Sequence, residues 1–283
     1  MSEPMIVRVR LAAPVKEVRH ALTDPAAMRV WLAEHAESDL PGRYAFWGRR
    51  TPEGDAPHQR PLHADDHTLR FAWLLDGVET TTEITLTEES PDATVLTLSQ
   101  SHFDFQDVIT GASIRGVLQT FWSLALSNLA DHVEGREIGP QPDFTSADFR
   151  GETVVDAPVD QVFDSLVDSD KASDWFGYPI GIEPYVGGRF AMGGLDADPH
   201  PAKIIDLVPG KTMSADWGPG GVVTWDLEDS GGKTRLTFVQ SGFDTASPPY
   251  AAWTGWLSGL AALRRYHEAP GRHQIWLPVE PAA

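Results

Sequence analysis

The side chains in this sequence that are best suited to hold another molecule are aromatic, and ten of its 283 residues are tryptophan. Alternation along the expected strands places Phe71 and Trp73 on one face, and Met213 and Trp217 on one face farther along the chain. Pockets for apolar ligands commonly combine aromatic walls with few polar groups. Burying one Trp also stabilises a core by roughly 4–6 kcal/mol, so ordinary packing explains the same pattern. Both interpretations stay open for the side chains predicted to face a ligand, which are Phe71, Trp73, Trp122, Met213, Trp217, Trp225, Trp253 and Trp256.

His102 is the one candidate for a catalytic acid or base in this sequence. His102 follows an expected hairpin strand where the second half of the chain has Gly242, so it could point into a pocket, although a histidine in a turn is the favoured interpretation. The sequence contains no Gly-x-Ser-x-Gly, no His-Glu-x-x-His and no dinucleotide-binding motif, and no Lys-Ser/Thr follows the Gly-Pro-Gly-Gly turn at residues 218–221. We therefore expect a protein without a cofactor, and a binding role is favoured over an enzymatic one.

A histidine-rich segment could suggest a metal site. It contains His58, His63 and His67 together with Asp65 and Asp66. Their spacing fits no well-known metal site, and the surrounding Pro, Gly and Asp residues are typical of an irregular loop in solvent. No metal is predicted.

Bulk composition excludes some partners and compartments. The formal net charge is −19, from 41 acidic and 22 basic residues, which is the opposite of the balance needed to bind a phosphate backbone. Nucleic acid is therefore not an expected partner. The chain has no cysteine, no apparent signal peptide and no apolar run long enough to span a membrane. These features predict a cytoplasmic location.

The sequence repeats itself. Residues 13–32 read APVKEVRHALTDPAAMRVWL and residues 157–176 read APVDQVFDSLVDSDKASDWF, in register and without a gap. Such self-similarity indicates two copies of one domain. The predicted organisation is a first domain at residues 1–138, a linker rich in Gly and Pro at 139–148, and a second domain with a C-terminal tail at 149–283.

Each half shows the same order of predicted elements. A strand is followed by two short helices, several antiparallel strands and one long helix, expected at residues 117–133 and 250–267. An antiparallel sheet with one apolar face needs a cover, and only the long helix is large enough to provide it. The predicted fold class is α+β, with two tandem domains that each wrap a curved sheet around a C-terminal helix. Residues 49–66 are expected to be an irregular loop, and the apolar tail at 274–277 is expected to pack on a domain or on a partner.

This pattern resembles the helix-grip fold of the START/SRPBCC superfamily, and within it the family similar to the activator of heat-shock-protein ATPase. The resemblance is carried by the Ala-Pro-Val repeats with Trp31 and Trp175, by Gly-Gly-Arg-Phe at residues 187–190, and by Thr-x-Leu-Thr strands that lead into Ser-x-Phe. It covers nearly the whole chain and is closer in the second half, because the first half lacks the double Gly. Similar proteins bind lipids or aromatic molecules, cyclise polyketides, act as co-chaperones, or capture reactive antibiotics.

Three functions follow as hypotheses. The first is sequestration of an apolar, aromatic small molecule, such as a secondary metabolite or an antibiotic to which the producer must be resistant. We expect the roomier cavity in the second half, because the small residues Ala191, Gly193 and Ala215 face the gap there. The second is a polyketide cyclase or aromatase, which needs acid–base groups in the pocket. The third is a co-chaperone-like module with a protein partner, which predicts filled cores and an exposed apolar patch.

Overall fold

The computed structural model describes residues 4–101 and 114–279. These residues form two compact units that meet in the sequence between Thr145 and Ser146. The second unit is Ser146–Gln274, and the chain from Ile275 onward returns to the first unit. The domain boundaries at residues 138 and 148 stay a prediction. This grouping assigns the C-terminal tail to the first unit, whereas the sequence pattern predicts that it belongs to the second domain.

The first unit contains an antiparallel sheet of five strands in the order β1-β7-β6-β5-β4, and a separate hairpin of β2 and β3. A short 3₁₀ turn at Ile114–Val117 precedes its long helix. Its elements are β1 (Met5–Leu11), α1 (Val15–Thr23), α2 (Pro25–Trp31), β2 (His35–Asp39), β3 (Arg43–Trp47), β4 (Gln59–Ala64), β5 (Thr68–Leu75), β6 (Val78–Ser90), β7 (Ala93–Gln100) and α3 (Leu118–Val133).

The second unit contains an antiparallel sheet of seven strands in the order β8-β14-β13-β12-β11-β10-β9. Its long helix covers the apolar face of this sheet, where Trp256 of the helix packs against Trp225 and Phe238 of the strands. Its elements are β8 (Phe149–Val155), α4 (Val159–Val167), α5 (Ser169–Phe176), β9 (Ile180–Ile182), β10 (Arg189–Met192), β11 (Ala202–Val208), β12 (Thr212–Asp216), β13 (Val222–Asp229), β14 (Thr234–Ser241) and α6 (Tyr250–Glu268).

The two copies of the sequence repeat form equivalent hydrogen bonds. The carboxylate of Asp24 accepts a hydrogen bond from the backbone N–H of Ala27 at the start of α2, and Asp168 caps α5 in the same way. The indole N–H of Trp31 then donates to the carbonyl of Ala21 at 2.9 Å.

Its counterpart Trp175 donates to the carbonyl of Ser165 at 2.8 Å. Because Trp31 and Trp175 are both buried, each indole ties the second short helix to the first while filling the core. The predicted α+β fold with two copies of one domain is confirmed.

One local feature differs from expectation, and the expected packing of the tail takes a specific form. Residues 59–64, expected to be irregular, form the edge strand β4, which has a bulge between Pro61 and His63. An edge strand tolerates Pro because one side of it needs no donor. In the tail, the carbonyl of Ile275 accepts a hydrogen bond from the backbone N–H of Arg10 at 2.7 Å, and the N–H of Leu277 donates to the carbonyl of Arg8 at 2.9 Å. The tail thus pairs with the outer edge of β1.

Across the described residues, no helix combines the length and the apolar composition that crossing a membrane requires.

A partly buried histidine with an inaccessible ring nitrogen predicts how stability depends on pH. The Nε2 atom of His267 on α6 is buried and has no hydrogen-bond partner among the described residues. Burial, and secondarily the positive charge of Lys171, lower the pKa of His267 below its ordinary value of about 6.5. As pH falls, the unfolded state therefore binds the proton first. The stability linked to His267 is fully present above about pH 6.5 and is lost as pH falls toward the lower pKa of the folded state.

We expect the free energy of unfolding to fall between about pH 7 and about pH 5, and to fall less in the His267→Gln variant. Urea unfolding followed by circular dichroism at each pH measures both values. His200→Gln is the matched control, because His200 is exposed. Equal pH dependence in all three proteins would contradict the assignment.

Candidate functional site: an aromatic cluster in the second unit

Aromatic rings from the sheet and from α6 meet on the inner face of the second unit. The ring centroid of Trp256 lies 5.5 Å from that of Trp217, 5.4 Å from that of Trp225 and 5.7 Å from that of Phe238. Phe190 of β10 completes the group, with its centroid 5.5 Å from that of Trp217. We call these five residues the aromatic cluster. Trp225 is buried, whereas Trp217 and Trp256 are only partly buried.

Strand alternation and helix spacing bring these rings together. Leu227 lies on the same buried face of β13 as Trp225, and Leu236 lies on the same buried face of β14 as Phe238. On α6, Trp253 and Trp256 are three residues apart and therefore project from neighbouring positions of one helix face. The ring of Trp253 stacks on Phe149 at 4.9 Å with an interplanar angle of 7°.

Trp217 lies just after β12 in a turn that depends on glycine. Its backbone N–H donates to the carbonyl of Gly221 at 2.9 Å. Gly221 has a φ of +84°, and a Cβ atom there would lie 2.2 Å from the carbonyl oxygen of Ser241. The turn predicted at residues 218–221 therefore fixes the position of the Trp217 ring at the end of the sheet.

The equivalent part of the first unit is filled by rings. The centroid of Trp73 lies 5.1 Å from that of Phe46, 5.7 Å from that of Phe121 and 6.0 Å from that of Trp122. Each of these four side chains is at most 2% exposed. Phe71 is also fully buried and packs on Phe46 at 5.8 Å.

The two units differ in the size of the residues beside these tryptophans. In the first unit, Phe71 lies opposite Thr82 in the sheet, and Thr82 lies opposite Gln100. In the second unit, Ala215 lies opposite Val223, which lies opposite Gln240. Ala215 thus replaces Phe71. Aligning Arg43-Tyr44 with Arg189-Phe190 places Met192 where the first unit has Phe46, so a non-aromatic side chain occupies that position as well.

The predicted ligand-facing residues therefore fall into two settings. Phe71, Trp73 and Trp122 lie in the closed core of the first unit, and Met213 and Trp253 are buried in the second. Trp217, Trp225 and Trp256 lie together in the aromatic cluster. Phe190, Phe238 and the buried Gln240 on the same inner face were not predicted, although the Gln-Ser pair at residues 100–101 and 240–241 marks Gln240 as a repeated position.

The acid–base candidate His102 lies outside the described residues. Each histidine of the histidine-rich segment has an ordinary partner. His58 is 3.2 Å from the carboxylate of Asp55, and His63 is 2.9 Å from that of Asp65. His67 is 3.2 Å from the carbonyl of Leu86. The hydrogen bond from His63, together with those from the backbone of His67 and Thr68, lowers the pKa of Asp65 to about 2. In the described part of the chain, no group of three or more His, Asp or Glu side chains could hold a metal ion.

A groove of about 790 Å³ lies elsewhere in the second unit. Charged side chains from several strands line it, including Arg150, Lys211, Asp226 and Glu228, and no residue of the aromatic cluster does. Asp226 is exposed, as strand parity predicts. This lining does not suit an apolar aromatic ligand, so the groove is not the candidate site.

Each unit is a helix-grip domain, because an antiparallel sheet and two short helices surround one long C-terminal helix. The family model described as "Activator of Hsp90 ATPase homolog 1-like protein" matches residues 12–134 and 156–268. The chain belongs to this family and contains two copies of its domain.

Three solved structures illustrate the similarity. CalU16 from Micromonospora echinospora is 28% identical, covers 50% of this chain and 79% of its own, and has a TM-score of 0.37. DynU16, a putative protein in the dynemicin biosynthetic locus, is 19% identical over 95% of this chain and 99% of its own, with a TM-score of 0.39. BexL, a di-domain ARO/CYC protein from the BE-7585A biosynthetic pathway, is 15% identical over 95% and 99%, with a TM-score of 0.36. No curated protein sequence matches the chain significantly.

Proposed function

We propose that the second unit binds an apolar aromatic small molecule at the aromatic cluster and holds it by ring stacking. The observation that supports this proposal is the difference between equivalent tryptophans. Trp73 and Trp122 are closed into the core of the first unit, whereas Trp217 and Trp256 are partly exposed at the edge of the cluster. A ligand ring that covers them would remove apolar surface from water and gain edge or offset contacts with the indoles.

The proposed mechanism is sequestration without a chemical step. The members of the aromatic cluster are Phe and Trp, and none of these side chains can donate or accept a proton in catalysis. The first unit then serves as a packed scaffold. Within this proposal the ligand is a secondary metabolite or an antibiotic, and its capture protects the producing cell. Support for that last step comes from the resemblance of the sequence rather than from a contact in the structure.

Tryptophan fluorescence tests the proposal. The protein is titrated with aromatic polyketides, flavonoids, enediynes and fatty acids. We expect saturable quenching by an aromatic class, with an affinity about tenfold weaker in the Trp256→Ala variant, which loses stacking contacts. Trp217→Phe and Trp225→Phe report on the cluster, and Trp73→Phe is the matched control in the first unit.

Three outcomes would contradict this function. If Trp73→Phe lost as much quenching as the variants of the aromatic cluster, the site would lie in the first unit. A folded protein that shows no saturable change with any ligand class would leave the co-chaperone-like module as the better hypothesis. Turnover of an added polyketide would instead favour the cyclase alternative.

A further inference from the structure

The two units allow one buried polar group to be compared in two surroundings. Gln100 of β7 and Gln240 of β14 occupy the same position of the repeat. Gln100 lies opposite Thr82, and Gln240 lies opposite Val223. Both glutamines are nearly fully buried, with exposures of 0% and 3%. Both share a sheet face with the rings that pack against the long helix.

In the first unit, the amide of Gln100 is paired at both ends. Its Oε1 atom accepts hydrogen bonds from the hydroxyl of Thr82 at 2.7 Å and from the indole N–H of Trp122 at 3.3 Å. Its Nε2 atom donates to the carbonyl of Ser101 at 3.2 Å. Burial of this amide is therefore compensated within the unit.

In the second unit, the amide of Gln240 is paired at one end only. Its Nε2 atom donates to the carbonyl of Gly220 at 2.8 Å, which fixes the orientation of the amide because an oxygen could not occupy that position. Its Oε1 atom is buried and has no hydrogen-bond partner in the described part of the chain.

The donors that serve Gln100 are missing or displaced here. Val223 has no hydroxyl, and Trp256, which faces Trp217 as Trp122 faces Trp73, makes no hydrogen bond to Gln240 within the described ranges.

The unpaired indole nitrogens do not distinguish the two units. The indole N–H groups of Trp73 and Trp217 are both buried without a partner, so this feature is common to both copies. The unpaired acceptor of Gln240 is specific to the second unit. It lies on the inner face of β14 two residues from Phe238, a member of the aromatic cluster.

We infer that Gln240 determines ligand specificity by accepting a hydrogen bond from a hydroxyl group on the bound aromatic molecule. The ligand class is therefore phenolic: an aromatic ring for the cluster and a donor for Gln240 Oε1. A buried acceptor without a donor destabilises the free protein, and a ligand hydroxyl would relieve this. Because Oε1 is buried, the ligand must displace a neighbouring side chain to reach it. This inference rests on the proposed function.

Three related probes separate stacking from the hydrogen bond. 2-Naphthol has a donor, 2-methoxynaphthalene keeps the oxygen without the donor, and 2-methylnaphthalene has neither. Calorimetric titration of the full chain should show 2-naphthol binding about tenfold more tightly than 2-methoxynaphthalene. We expect Gln240→Met to reduce this ratio to about one while both probes still bind.

A second variant restores the first unit's arrangement. Val223→Thr introduces the hydroxyl that Thr82 provides to Gln100, so it should satisfy Gln240 internally, lower the 2-naphthol preference and raise the midpoint of thermal unfolding. Thr82→Val is the matched control, and we expect the preference to be unchanged in it. Comparing ratios between proteins cancels the difference in hydration between the two probes.

The outcomes distinguish this inference from the proposed function. Equal affinity for 2-naphthol and 2-methoxynaphthalene in the unaltered protein would overturn the role of Gln240 but leave the aromatic site intact. A preference that survives both Gln240→Met and Val223→Thr would also overturn it. Failure of all three probes to bind would reject the proposed site, and the inference with it.

Discussion

Replacing Trp122 with Ala is expected to lower the free energy of unfolding of the first unit by about 3–5 kcal/mol. Trp122 is 1% exposed and contacts Phe121 at 5.1 Å and Trp73 at 6.0 Å, so its removal leaves a cavity among rigid rings. The change also removes one of the two donors to Gln100 Oε1, at an additional cost of about 1 kcal/mol.

The same change at the equivalent position of the second unit should be milder. Trp256 is only partly buried, so Trp256→Ala removes less surface from the core and should lower the free energy of unfolding by about 1–2 kcal/mol. Urea unfolding followed by circular dichroism measures both losses, and amide exchange assigns each to its unit. Trp122→Phe and Trp256→Phe are the control variants, because each keeps an aromatic ring at its position. Equal losses in the two alanine variants would mean that the cluster is as closed as the core of the first unit, which would remove the support for the proposed site.

Truncation after Gln274 is expected to destabilise the first unit by about 2–4 kcal/mol, although the deleted residues follow the second unit in the sequence. The Ile275 side chain is 3% exposed, and burial of such a chain contributes about 1.5–3 kcal/mol. The backbone hydrogen bonds to Arg10 and Arg8 contribute about 1 kcal/mol each before the entropy of ordering the tail is subtracted.

Hydrogen exchange provides a local measurement of this effect. The backbone N–H of Arg10 donates to Ile275, so its protection should be lost on truncation. Ile275→Ala should give an intermediate loss of stability. Val279→Ala is the control, because Val279 is 44% exposed. A truncated protein with unchanged unfolding and a protected Arg10 amide would show that the tail contributes nothing to the first unit.

The fold was predictable because its signals are local and occur twice. The Asp-capped second helix, with a tryptophan in its last turn at Trp31 and Trp175, is visible in one sequence as a repeat. Strand alternation then placed Trp217 and Trp225 on the inner face. The edge strand β4 was missed because Pro61 and neighbouring charged residues are typical of loops, and only pairing with β5 reveals it.

The candidate site was less predictable, since it depends on neighbours that are distant in sequence. Trp73 and Trp217 occupy equivalent positions, yet the packing beside them differs because Phe71 is replaced by Ala215. Likewise, Gln100 and Gln240 are identical in type. Only the sheet register shows that one faces the hydroxyl of Thr82 and the other the methyl groups of Val223.

The pairing of the tail with β1 has a consequence for synthesis. A ribosome that adds about 5–20 residues per second needs on the order of 10 s to pass from residue 145 to residue 275. During this interval the outer edge of β1 has no tail to pair with, although the rest of the first unit is already made. An unpaired edge is a template for association with other chains. Newly made chains are therefore open to misassembly at β1 until the tail has been made.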